Sequence, residues 1–488
     1  MSLQDTISYP MILKELNNYR GFTLADTTGN DEYNILMAYL LTVDEVNISQ
    51  ERLLTEAMIN KNDSFYEYRI LWTPNIAQYE FNEQIDIGYE YIRLLAFLKY
   101  SLDQLKSYFI EYLRKFKFKS VSELFTSIHQ VSMATLNYHQ ENIFKKLNFI
   151  KPSEDSNSLH LDAQKINSKI GLQNISLGDL RKYPLFHHQK NGFMVIDEDL
   201  YNKRSYKGIF FEMFYNTSLN QEKSFNSYSS EISFEVLEKK CFHSILSELI
   251  QSKHDFVHFD DLSTNAPDCY FRRNRNIQLF EFKGYIFPDD LSANPNFENI
   301  KKYIDKRFIE SDNSKSKGIG QIINQLNVLR KNEYQFDFDY KHKFHNKRIT
   351  IYPIIVHTEF HFSIPGINEY LNDIFLAKLS EDLRNHFDIK PITLINLEIL
   401  YDFVLRNGTF QQLENLLDQY FHIVKNRRIA FNKNPSIDTA MRSKSSFDEI
   451  YNSLFLKELK TSVTKKPSEK FRNLRDITQD EFDEILAD

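Results

Sequence analysis

Glycine and proline are scarce in this 488-residue chain, with twelve of each, and there are two cysteines and one tryptophan. With so few breakers against 28 tyrosines and 41 phenylalanines, the core is expected to be built from rings. The two cysteines, Cys241 and Cys269, fall among apolar neighbours and read as free thiols of a reducing compartment, so a cytoplasmic location is expected. No apolar run approaches a membrane span, so no membrane partner is expected. The opening Met-Ser-Leu-Gln-Asp lacks a basic stretch followed by an apolar one, which argues against a signal peptide. A phosphate-binding glycine loop, a Gly-x-Ser-x-Gly elbow and a dinucleotide fingerprint are also missing, which argues against an ATP-driven motor within the chain. There is no global basic field either: the formal charge is −7, so any nucleic-acid surface must be local.

What is present is ordinary for a globular protein, 42% apolar and 26% charged, with length for two or three domains. Residues 1–150 read as a mainly α-helical N-terminal domain suited to recognition, dimerisation or partner binding. Helical spacing runs over 35–41, 51–58 and 89–116, and Thr73-Pro74-Asn75 reads as the turn of a small hairpin. A linker and connector follow over 151–200, with a strand at 193–196. Residues 201–405 carry helices at 201–215 and 232–250, strands at 255–259, 269–272 and 277–286, a lysine-rich insertion, a helix at 318–329, and strands at 349–357 and 392–396. Residues 406–488 read as a helical and basic extension.

The chemistry concentrates between Pro267 and Tyr285, two strands joined by a polar turn at 273–276. Strand side chains alternate faces, so Ile277, Leu279, Glu281 and Lys283 share one face while Phe280 and Phe282 take the other. A carboxylate and an ammonium on an otherwise apolar strand are costly to bury unless paired or bound to something. Pro267-Asp268, a hairpin, then Glu281-Phe282-Lys283 resembles the signature of the PD-(D/E)xK nuclease superfamily. The order from 232 onward (helix, three strands, helix, strand) agrees with that family over roughly residues 230–400.

The resemblance implies an α/β fold with a restriction-endonuclease-like core, a mixed sheet flanked by helices. It implies a Mg²⁺-dependent endonuclease, with Mn²⁺ as a substitute, acting on nucleic acid, expected to be DNA, in a setting such as defence against phage or plasmids. Asp268, Glu281 and the Phe282 carbonyl would supply hard oxygen ligands, and Lys283 would orient water and stabilise developing charge. From the residues alone, an inert surface Glu–Lys pair is the competing reading. Two further readings stay open: a nuclease-like fold kept for nucleic-acid or protein binding without hydrolysis, and a subunit, or homo-oligomer, silent until a partner such as an ATPase or sensor acts on it.

On the helix before the strands, Phe234, Leu237, Cys241, Phe242, Ile245 and Leu249 form an apolar stripe at 100° per residue. Glu238 falls near its middle and Glu235 at its edge, so Glu238 is the acid expected to point into the site, with a buried ion pair as its structural alternative. On the helix after the insertion, Gln321 and Gln325 lie one turn apart, and Gln321 is taken as the site glutamine, with a solvated amide pair as the alternative. Basic residues recur beside these elements: Arg272, Arg273 and Arg275 on the hairpin, Lys301, Lys302, Lys306, Arg307, Lys315 and Lys317 in the insertion, Lys341, Lys343, Lys347 and Arg348 before the next strand, and a group from Lys425 to Lys444. These are expected to hold phosphates, chiefly Arg272, Arg273, Arg275, Lys315 and Lys317. His357 and His361 lack a metal-ligand pattern.

Overall fold

The computed structural model describes residues 65–79, 86–129, 149–150, 184–188, 192–195, 198–250, 252, 255–260, 266–293, 295–310, 316–344 and 347–455. The chain divides into two compact units, one holding Phe81–Val236 and the other Leu53–Glu80 with Leu237–Phe471. The expected boundary near residue 150 therefore does not coincide with this division. The expected helices at 35–41 and 51–58 lie outside the described residues.

The first unit is mostly helical. The span expected as one helix over 89–116 is two, Ile87–Gln104 and Lys106–Lys115, divided at Leu105. Asp86 caps the first by accepting from the Tyr89 amide. Buried rings and a Glu111–Ser218 hydrogen-bond set tie these helices to Gly208–Asn216 and the following turn. The strand expected at 193–196 is the middle of a small antiparallel sheet, Gly192–Val195 between Phe149–Ile150 and Leu185–His188.

The second unit is a six-stranded mixed sheet with helices on both faces. Its strands are β1 (Asp255–Phe259), β2 (Cys269–Arg273), β3 (Asn276–Lys283), β4 (Ile349–His357), β5 (Phe387–Ile389) and β6 (Thr393–Asn396). The meander β1-β2-β3 is antiparallel, β3 pairs β4 in parallel, and β5 and β6 share the far edge of β4, both parallel to it. The central strands β3 and β4 are almost continuously buried, as a strand covered on both faces must be, and β3 carries Gln278, Glu281 and Lys283 into that interior.

Five helices matter here: α1 (Tyr66–Tyr79), α2 (Phe297–Phe308), α3 (Ile319–Arg330), α4 (Ile367–Lys378) and α5 (Phe410–Lys433). Ile277 and Leu279 of β3 share a core with Ile319, Ile322 and Leu326 of α3. On the other face Phe282 meets Phe242, with centroids 5.1 Å apart, and Phe280 meets Phe410 at 6.1 Å. The period-two alternation of the sequence is thus realised, and each buried ring or aliphatic chain adds roughly 1.5–3 kcal/mol.

Two expectations need correction. Thr73-Pro74-Asn75 is no hairpin turn: α1 runs through Pro74, and its fully buried Trp72 packs on Phe297 and Tyr370. That apolar contact outweighs the hydrogen bond an internal proline removes. The segment before β1 is π-helical over Ser233–Phe242, then α-helical over His243–Ser247. Bonds from i to i+5 widen the turn and shift the stripe, so Val236 is buried while Phe234 and Leu237 are half-buried.

Candidate active site

The antiparallel register pairs Cys269 with Phe280, which sets Asp268, just ahead of β2, beside the late residues of β3. Its Oδ2 accepts from the Phe282 amide at 2.5 Å. Lys283 Nζ donates to Glu281 Oε1 at 2.7 Å, and Gln325 Nε2 of α3 donates to Oε2 at 2.7 Å. Glu281 and Lys283 are 1% and 7% exposed, and Asp268 and Glu238 are half-buried.

The electrostatics of the site are unbalanced. Burial, then Glu281 and Glu238, push the Asp268 carboxyl well above the usual range, against the pull of Lys283 and the Phe282 amide. Glu238 is pushed up to about 7, first by burial and then by Glu281 and Asp260, with Lys283 opposing. Burial works against the Lys283 ammonium, yet Glu281 and Asp268 outweigh it and hold its pKa above the ordinary value. Several acids thus face a single buried lysine, and the excess shows in carboxyls that resist ionisation.

The structure brings together Asp268, Glu281, Lys283 and Glu238, but not Gln321. The Gln321 side chain accepts from the Gly318 amide at 2.9 Å, capping the start of α3. Gln325, one turn on and 4% exposed, is the glutamine that reaches Glu281.

Three further residues border the site. Asp260 follows β1, and the pairing of Phe259 with Cys269 sets it beside Asp268; hairpin register alone could have found it. His243 donates to the Asp268 backbone, and burial first, then Lys239, lowers it to about 4, so the ring is neutral at pH 7. Tyr334, whose hydroxyl lies 3.5 Å from the Gln325 carbonyl, feels Glu281 and Asp260.

The arginines assigned to phosphates are elsewhere. Arg272 lies on the inward face of β2 and is buried, forked onto Asp337 at 2.5 and 2.9 Å. Arg273 and Arg275 stand at the turn end of the hairpin; Arg275 precedes Glu281 by six residues, about 20 Å along an extended strand. Lys341, Lys343, Lys347 and Arg348 precede β4, whose parallel register puts its start at that same remote end. Lys444 is buried against Glu67 and Glu369. Lys317 is half-buried ahead of α3, and Lys315 lies outside the described residues. Of the proposed basic groups, the insertion is the one joined directly to the site end of β3.

Among the described residues, no group of three or more His, Cys, Asp or Glu side chains could hold a metal ion. Asp268 and Glu281 remain as a two-carboxylate donor set. Each carboxylate oxygen has two lone pairs, so the bonds from Phe282, Lys283 and Gln325 leave acceptor capacity. Hard oxygens, few in number and carrying surplus negative charge, suit Mg²⁺, which keeps much of its water. No helix among the described residues is long and apolar enough to cross a membrane.

No family model matches the chain, and no curated protein or solved structure matches it either.

Proposed function

We propose that the chain is a metal-dependent, cytoplasmic nuclease of the PD-(D/E)xK kind, hydrolysing phosphodiester bonds in DNA. The observation that carries this reading is the surplus of carboxyls around Lys283, a charge imbalance that a purely structural ion pair would not keep. The element order supports it: a helix, an antiparallel three-strand meander, helices, then a strand parallel to the third.

Asp268 and Glu281 would hold the cation, which supplies charge neutralisation and a more acidic water when bound. The chain's own residues do the rest. Gln325 and Lys283 fix the Glu281 carboxylate in one orientation. The Lys283 ammonium stabilises negative charge gathering on the phosphoryl oxygens. Glu238, half-buried and titrating near neutrality, takes a proton from the attacking water as general base.

The test is incubation of the full chain with plasmid DNA and with RNA in Mg²⁺ or Mn²⁺, with an EDTA control. Metal-dependent loss of DNA in the wild type, absent in Asp268→Ala and Lys283→Ala, is the expected result. Folded wild-type protein that leaves both polymers intact in either metal would overturn the reading.

A further inference from the structure

Arg307 of α2 differs from most arginines of the sheet unit. Arg69, Arg272, Arg330 and Arg406 each pair with a carboxylate. Among the described residues no carboxylate pairs with Arg307. Its guanidinium lies instead over two rings, 4.6 Å from the Tyr285 centroid and 5.2 Å from that of Tyr303. Tyr303 is anchored in turn by donating to the Ile286 carbonyl at 2.6 Å. The Arg307 Nε is buried with no hydrogen-bond partner, although the side chain as a whole is only half-buried. That buried Nε is out of a ligand's reach, so contact with a ligand falls to the two terminal nitrogens of the guanidinium.

Its location gives the cation a purpose. Tyr285 stands two residues past Lys283, is half-buried, and is close enough to influence the Lys283 ammonium. Rings hold the guanidinium flat without neutralising it, leaving a fixed fork that matches two phosphate oxygens. A lysine on a flexible stem would offer only a point charge.

We infer that Arg307, braced by Tyr285 and Tyr303, is a phosphate-holding subsite of the proposed nuclease site, gripping a nucleic-acid phosphate beside the bond to be cut. This rests on the nuclease reading and adds the substrate contact that Arg272, Arg273 and Arg275 do not provide.

Steady-state plasmid cleavage in Mg²⁺ tests it with the full chain. Arg307→Gln should raise KM about tenfold with kcat nearly unchanged, and Arg307→Lys should fall between it and wild type. Lys378→Gln, the same charge change at an exposed position of α4, should change neither. An unchanged KM in folded Arg307→Gln overturns the subsite and leaves the nuclease reading standing. Should the wild type cleave nothing, that reading falls, and anisotropy of a fluorescein-labelled DNA duplex decides the subsite: equal affinity for wild type and Arg307→Gln overturns it. Should Arg307→Gln fail to fold, Arg307→Lys, which keeps charge and stem but loses the fork, is judged by the same criteria. A mononucleotide that competes as well as plasmid overturns the polymer subsite in favour of a free-nucleotide one.

Discussion

Two charged clusters lie on the same hairpin, and their difference separates scaffold from site. At Arg272 one guanidinium meets one buried carboxylate, Asp337, through a forked pair of bonds. Asp337 also accepts from Tyr270 at 2.9 Å and from the Tyr340 amide at 3.0 Å, while the guanidinium lies over Phe256 and Phe344. Charge is balanced and both carboxylate oxygens are bonded. At Lys283 one ammonium faces Glu281, Asp268 and Glu238, and the last two are pushed above the usual carboxylate range. A balanced buried pair has nothing left to offer a ligand, whereas the surplus acids are stabilised only when a cation or a proton arrives.

The sharpest break of the balanced cluster is Asp337→Ala, which strands a buried guanidinium. A loss of about 3–5 kcal/mol is expected, read as a large fall in melting temperature. At the unbalanced cluster the largest effect falls on activity. Lys283→Ala should lower cleavage by about a thousandfold, about 4 kcal/mol of barrier, with the fold retained by circular dichroism. Asp268→Asn should reverse the sign seen at Asp337. The amide oxygen still accepts from the Phe282 amide, and the repulsion with Glu281 and Glu238 disappears. Its melting temperature should therefore rise, by on the order of 1 kcal/mol of stability, while cleavage is lost. A drop like that of Asp337→Ala would make the acidic cluster structural.

The contrast was only half legible in the sequence. Alternation along β3 put Glu281 and Lys283 together and Phe280 and Phe282 opposite, because a strand's period is fixed by its backbone. The same rule applied to β2 sets Arg272 on the face of Tyr270, inward, since Arg272 pairs Ile277 and Tyr270 pairs Leu279. Clustering by charge alone hid that. The choice between Gln321 and Gln325 turned on where α3 begins: with Gly318 at the N-cap, Gln321 is the third residue and caps the helix. The packing of α1 into the sheet unit was not legible, because Trp72 meets Phe297 across more than two hundred residues without any local signal. Nor was the π-helical widening at 233–242, which shifts the register that a 100° spacing assumes.

The finest comparison lies within that helix, between Glu238 and Glu235. Glu238 feels Lys283, Glu281 and Asp260, whereas Glu235 bears on Tyr100, a residue of its own unit. The folded-state pKa of Glu238 is raised from 4.5 to about 7. Between those values the folded state holds a proton that the unfolded state has released, so stability falls as pH rises through that window and is level above it. Glu238→Gln should remove this fall, a difference of on the order of 1 kcal/mol after discount for its partial exposure to solvent. It should also flatten the rise of cleavage rate with pH near 7, because the group that takes the proton is gone. Glu235→Gln should leave both the stability profile and the rate profile within error of wild type. Chemical denaturation and initial cleavage rates across pH 4.5 to 8 on the two variants measure this directly. If Glu235→Gln flattens the rate profile instead, the acid facing Lys283 is Glu235, and the comparison between balanced and unbalanced clusters must be redrawn around it.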